Sequence, residues 1–205
     1  MVSERDALCD ALRAGGVRGV DDFGRFINNT SYFRASDFDD EAAAPVLLAR
    51  LSSMTDGSVV AAAARHLRHV RIPADAFETL VDAFDDWATE GGDAGWALGD
   101  TLAHAARAEN AATMCELAQR QAYGRSRQMI VDALWRWRSS DGVEPTLRGL
   151  VADPNVSLHA MSALARIISP NEMLAVLEPL QDDPDPTVRT QAQRRLTKVR
   201  RKLAQ

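Results

Sequence analysis

Cysteine is almost missing from this chain. Cys9 and Cys115 are the only two, they lie far apart, and they form no CxxC pair. That excludes a disulfide framework and suits a reducing compartment, so a cytoplasmic location is expected. No apolar run approaches the roughly 18 residues that a membrane-spanning helix needs. The first residues lack the basic start and apolar core of a secretory signal. Segments that alternate apolar and polar residues are lacking, so β-structure is expected to be nearly absent. There is no GxSxG, P-loop, GxGxxG or HExxH pattern. Lysine is scarce too: Lys198 and Lys202 are the only two, and every other cation is arginine. With the many alanines, this composition suggests a GC-rich bacterial genome.

The 205 residues carry 24 basic and 29 acidic side chains, a net charge of −5, and 46% of them are hydrophobic. That is ample for a core and argues against wholesale disorder. The charge is unevenly spread. Residues 1–56 carry net −4, residues 57–122 net −5 and residues 123–205 net +4. An acidic chain is a poor general ligand for nucleic acid, although its last third can attract anions.

The chain repeats itself. Asp153, Val156, Ala160 and Leu164 recur 32 residues later as Asp185, Val188, Ala192 and Leu196. The same template appears at Asp56, Val59, Ala63 and Leu67. Looser copies run through Ser126, Ile130 and Leu134 and through Ala94, Leu98 and Leu102. The apolar positions are spaced four apart, which keeps them on one helical face. Alanine in the middle lets a neighbouring helix approach closely. The aspartate can cap free N–H groups at the helix start, and Pro154 and Pro186 suit the first helical position.

Amphipathic segments alternate with the template helices. They are Glu41 to Met54, Pro73 to Trp87, Glu109 to Gln121, Val143 to Ala152 and Asn171 to Gln181. In the second of these, Phe77, Leu80, Val81, Phe84 and Trp87 mark the expected core stripe. Ser36 and Asp39 offer a capping box ahead of the first. A chain of antiparallel helix pairs, ten helices or more, follows.

The runs DPNVSLHAMSALARI (153–167) and DPDPTVRTQAQRRL (183–196) resemble HEAT repeats, of the short bacterial kind also seen in phycobilin lyases. The resemblance implies an all-α fold, an α-solenoid of stacked A and B helices. It implies one continuous repeat domain over residues 36–205. Residues 1–35 do not match. They hold one helix, about Glu4 to Ala14, a shorter one around Asp21 to Ile27, and an apolar cluster of Phe23, Phe26, Ile27, Tyr32 and Phe33. These are expected to cap the first repeat, since a solenoid end would otherwise expose its core.

Few residues suggest chemistry. His66 and His69 are three apart, but two ligands do not make a metal site, and a solvated helix face beside Arg65, Arg68 and Arg71 is expected. Cys9 and Cys115 read as small buried apolar residues. No cofactor, metal or catalytic set is expected. Two surfaces stand out instead. Asp75, Glu78, Asp82 and Asp86, with Asp85 beside them, form the polar side of one helix. The HEAT resemblance would place this acidic stripe in the groove lined by B helices, where it could take a basic peptide. Trp135 and Trp137 flank Arg136, with Arg125, Arg127 and Arg138 nearby. Adjacent odd positions cannot share a helix face, so at most one tryptophan is fully core. The other could stack on a base in an arginine-rich patch.

The expected function is a non-catalytic scaffold that binds a partner protein or peptide through its B-helix face. The binding surface is expected among Asp75, Glu78, Asp82, Asp86, Arg127, Trp135 and Arg136. The alternative is a nucleic-acid-binding protein, by analogy with HEAT-like DNA glycosylases, which use aromatic and acidic side chains on a basic face. A phycobilin-lyase-like enzyme rests on repeat type alone. Nucleic acid is not the expected partner, because the acidic stripe would have to be kept away from it.

Overall fold

In a computed structural model that describes residues 3–24 and 37–204, the repeated template is the core. All fifteen core-facing template positions, fourteen apolar side chains and Ser126, are buried. The most exposed is Ala94 at 4%, while Ala63, Ala160 and Ala192 are completely covered. A fully buried valine or leucine contributes about 1.5–3 kcal/mol relative to an exposed one, so this row alone accounts for a large share of the burial energy. The described residues form eleven α-helices joined by turns and short 3₁₀ segments, without a strand. The fold is all-α, built from paired helices.

The chain divides into two compact units, residues 1–105 and 106–205. The first contains α1 (Glu4–Ala14), α2 (Asp40–Leu51), α3 (Gly57–Leu67), α4 (Phe77–Ala88) and α5 (Asp93–Ala105). Here α3 packs against both α2 and α5, while α4 packs against α2 and α5. The template helices α3 and α5 thus form one layer and α2 and α4 the other. Helix α3 is almost wholly buried, as its run of four alanines allows.

Local chemistry sets the helix ends. Asp39 caps α2 by accepting from the Ala42 N–H, and Asp56 caps α3 by accepting from Ser58. Hydrogen bonds from Ser58 hold the Asp56 carboxyl below the usual range. The expected Ser36 partner lies outside the described residues. Helix α4 is followed by Gly91 and Gly92 at φ +69° and +94°, a left-handed turn that only glycine enters without strain. Its core stripe departs from expectation. Phe77, Leu80, Ala83, Phe84 and Ala88 are buried, whereas Val81 and Trp87 are half-exposed. The edge of the Trp87 ring lies against Gly57, where a methyl group would sit 3.1 Å from it.

Helix α1 has the bounds its sequence implies and packs against α2. Glu4 binds the turn before α3: its carboxylate accepts from the Thr55 N–H at 2.8 Å and the Asp56 N–H at 3.0 Å. The segment after α1 is a 3₁₀ turn over Val20–Asp22. Phe23 is buried against Phe38 and His66. Phe26, Ile27, Tyr32 and Phe33 lie outside the described residues.

The second unit contains α6 (Ala111–Gln119), α7 (Gln128–Ala133), α8 (Val143–Leu150), α9 (Ser157–Leu164), α10 (Pro170–Leu177) and α11 (Pro186–Leu203). Template helices α7, α9 and α11 pack in sequence, with α6, α8 and α10 against them. The two clearest copies of the template start differently. Asp185 caps α11, accepting from Thr187 and Val188, and Pro186 occupies the first helical position. Pro154 does not. Residues 154–156 form a turn, and α9 starts only at Ser157. The physical reason is Asp153. It accepts from the Asn155 N–H at 2.9 Å, and its other carboxylate oxygen accepts from Arg127 instead of capping a helix.

Candidate surface on the second unit

The buried polar groups come first, because they decide which candidate residues are available to a ligand. His66 is fully buried, contrary to the solvated face expected for it, while His69 is exposed. Residues three apart on α3 and its end can face different environments when one of them is clasped. His66 Nδ1 lies 2.6 Å from Asp40 Oδ1, and Nε2 accepts from the Gly24 N–H at 3.3 Å. Its ring stacks on Phe23 and lies 4.1 Å from the centroid of Phe38. Burial pushes its pKa down, opposed by the hydrogen bond and charge of Asp40.

Arg127 is the counterpart in the second unit. Expected on the binding surface, it is completely buried. Its Nε donates to the Gly124 carbonyl at 3.1 Å, Nη1 donates to Ala118 at 2.7 Å, and Nη2 pairs with Asp153. A buried guanidinium is tolerable only when paired and hydrogen-bonded, and this one has three internal acceptors. It therefore holds the end of α6 to the turns before α7 and α9 and offers nothing to an outside ligand.

The remaining candidates are exposed or nearly so. Asp75, Glu78, Asp82 and Asp86 are all exposed, and none forms an ion pair among the described residues. Asp75 sits on the 3₁₀ turn ahead of α4. It lines an open groove between α2 and α4 with Pro45, Leu48, Arg71 and Thr79. Trp137 is buried and Trp135 half-buried, as the odd spacing requires. Arg136 is exposed, with its guanidinium 4.7 Å from the centroid of Trp137. So Arg136 and Trp135 lie on the outside of the second unit, and the acidic residues lie on the first. Trp135 is not an open platform, because the Arg166 guanidinium lies 4.6 Å from its ring centroid. A cation over an indole is worth about 0.5–1 kcal/mol at an exposed site.

Tertiary packing adds residues that the sequence reading passed over. Arg195, half-buried on α11, donates to Ser162 Oγ on α9 at 2.5 Å. Burial pushes its pKa down, the nearby Arg166 adds to that effect, and Asp132 opposes it. His159, on α9, has a buried Nδ1 without a hydrogen-bond partner among the described residues. Burial lowers its pKa, with Asp132 opposing and Arg125 reinforcing. Beside Arg195 lies a cavity of about 180 Å³ between the turn that follows α9, α10 and α11. Ile168, Met173 and Val199 give it an apolar floor, and Arg195, Lys198 and Lys202 stand around it. Arg125, Arg166, Arg195, Lys198 and Lys202 form no ion pair among the described residues. The cue available in the sequence was the acid-free run of cations from Arg189 onward. The meeting of α9 with α11 had no local signature.

The units also differ in charge. Residues 1–105 carry 9 basic and 18 acidic side chains, net −9, and residues 106–205 carry 15 and 11, net +4. Among the described residues, no three or more His, Cys, Asp or Glu side chains are grouped to hold a metal ion, and no helix is long and apolar enough to cross a membrane. Cys115 is buried and Cys9 half-buried, and burial pushes both thiols up, away from the reactive thiolate.

No curated protein and no solved structure matches the chain. A family model described as HEAT repeats matches residues 100–197, a stretch that takes in the last three copies of the template, from Ser126 to Leu196, and the Leu102 that ends the copy before them. Residues 100–197 are HEAT repeats.

Proposed function

We propose that the chain is a non-catalytic interaction scaffold that binds a partner protein or peptide through exposed side chains of its helix layers. HEAT repeats are commonly interaction scaffolds. The observation that carries this reading is a division of labour among ionisable groups. Buried ones such as His66 and Arg127 are consumed by internal bonds, while the cations around the cavity beside α10 and α11 form no ion pair among the described residues. Unpaired surface charge of one sign steers and selects partners more than it stabilises a fold. In this reading residues 1–35 close the first end of the repeats and residues 36–205 act as one scaffold. Nucleic acid is a poor fit. Arg166 already covers Trp135, so the ring is not open for a base to stack on.

The test is affinity capture of the full chain with amine-reactive cross-linking and mass spectrometry. Apart from the N-terminal amine, Lys198 and Lys202 are the only amines. A stoichiometric partner cross-linked at these lysines is the expected result. Absence of any partner, together with submicromolar binding of labelled oligonucleotides in a salt series, would replace the scaffold reading with the nucleic-acid one.

A further inference from the structure

The scaffold reading leaves the partner's chemistry open, and the second unit narrows it. Arg166 is close enough to Arg195 to add to the electrostatic cost of its charge, and Arg195 is partly removed from water. A half-buried cation beside an exposed one is stabilised when an anion joins them. Among the described residues Asp132 is the acid that opposes this cost. The charge borders a cavity with an apolar floor of Ile168, Met173 and Val199, flanked by Lys198 and Lys202. A void of about 180 Å³ is far smaller than a ligand pocket of 300–1,000 Å³, and it is the right scale for one large apolar side chain.

Resting on the scaffold reading, we propose that the cavity between the turn after α9, α10 and α11 is a docking site for an acidic peptide segment. One apolar side chain of the segment enters the cavity, while flanking carboxylates bind Arg195, Arg166, Lys198 and Lys202. Each half of this arrangement needs the other. The apolar floor gives a rigid anchor point, as interface hot spots do, and the surrounding cations set orientation and on-rate. A continuous phosphate backbone would use the cations and waste the apolar floor.

The experiment uses the full chain and three labelled probes in fluorescence anisotropy. One is a short glutamate-rich peptide with a central Leu-Phe pair, one is a glutamate-only peptide of equal charge, and one is a single-stranded oligonucleotide. The anchored peptide should bind at least tenfold more tightly than the glutamate-only peptide, and its affinity should fall as salt rises. Lys198→Glu with Lys202→Glu, both exposed positions, should weaken it at least tenfold with unchanged circular dichroism. Asp82→Asn should leave it unchanged. Equal binding of the two peptides, tighter binding of the oligonucleotide, or no effect of the double lysine variant overturns the proposal. A cellular partner captured equally by wild type and the double lysine variant also overturns it while leaving the scaffold reading standing. Loss of capture along with loss of anchored-peptide binding supports both.

Discussion

Each unit hides one ionisable side chain against an aspartate, and the two solutions differ in kind. In the first, His66 is held neutral by burial, sandwiched between Phe23 and Phe38, and oriented by Asp40. In the second, Arg127 stays charged and is given two carbonyls and the Asp153 carboxylate. A buried imidazole can shed its proton and so avoid most of the desolvation cost. A guanidinium cannot, so its surroundings must supply every acceptor. The first unit is therefore tied to pH at this point, and the second to the integrity of one pair.

The sharpest way to break the comparison is to remove one partner in the second unit. Asp153→Ala leaves a buried guanidinium without its counter-ion and should cost about 3–5 kcal/mol in urea unfolding. The double change Arg127→Met, Asp153→Leu should recover most of that loss, since an apolar pair of similar volume is often neutral or stabilising. If Asp153→Ala unfolds at the wild-type urea midpoint, Arg127 is not dependent on the pair.

A smaller effect is expected where the two units use the same device. Ala63 in α3 and Ala160 in α9 are completely covered template positions. Enlarging either to leucine overpacks a helix crossing and should cost about 1–3 kcal/mol. Similar losses from Ala63→Leu and Ala160→Leu would show the template working alike in both units. A negligible loss for one of them would mean that its layer can open without penalty.

The pH dependence comes next. His66 has a folded-state pKa below its unfolded value, because burial outweighs Asp40. Its neutral form therefore contributes full stability above about pH 6.5, the ordinary histidine value, and stability falls as pH drops below that toward the folded pKa. The slope is at most about 1.4 kcal/mol per pH unit for one histidine. His159 shifts in the same direction in the second unit. Amide exchange in α2 and α3 should therefore quicken from pH 7.5 to 5.5, and His66→Asn should flatten that change while leaving the response of α9 intact. A wild-type α3 whose protection is the same at both pH values would contradict the neutral, buried imidazole.

The smallest effect belongs to the acidic stripe. Asp75, Glu78 and Asp82 are exposed and form no ion pair among the described residues, so neutralising any one of them should change stability by no more than about 0.5 kcal/mol. A larger loss in thermal melting would show that the stripe is part of the fold.

The repeat made much of the fold legible. A spacing of four residues from valine to alanine to leucine is a statement about one helix, and it does not need to know what lies opposite. Helix α1, the caps at Asp56 and Asp185, and all fifteen buried template positions followed from such local rules. The misplaced residues share a different property. Pro154 was read as a helix start because its neighbours match Pro186, yet the Asp153 carboxylate is drawn to Arg127. Val81 and Trp87 fit the apolar stripe of α4, but the core closed over Ala83 and Ala88 instead.

Local spacing in the sequence determined which helix faces are apolar, how the helix pairs repeat and where charge accumulates, because period and composition are properties of neighbouring residues. Only the tertiary structure decided which polar side chains go inside and which surface is left with unpaired charge. His66 and Asp40 are 26 residues apart, Arg127 and Asp153 likewise 26, and Arg195 and Ser162 33. A hydrogen bond over such separations forms only once the helices between have packed. Its strength is set by the water that packing excludes, a quantity that no window of sequence contains.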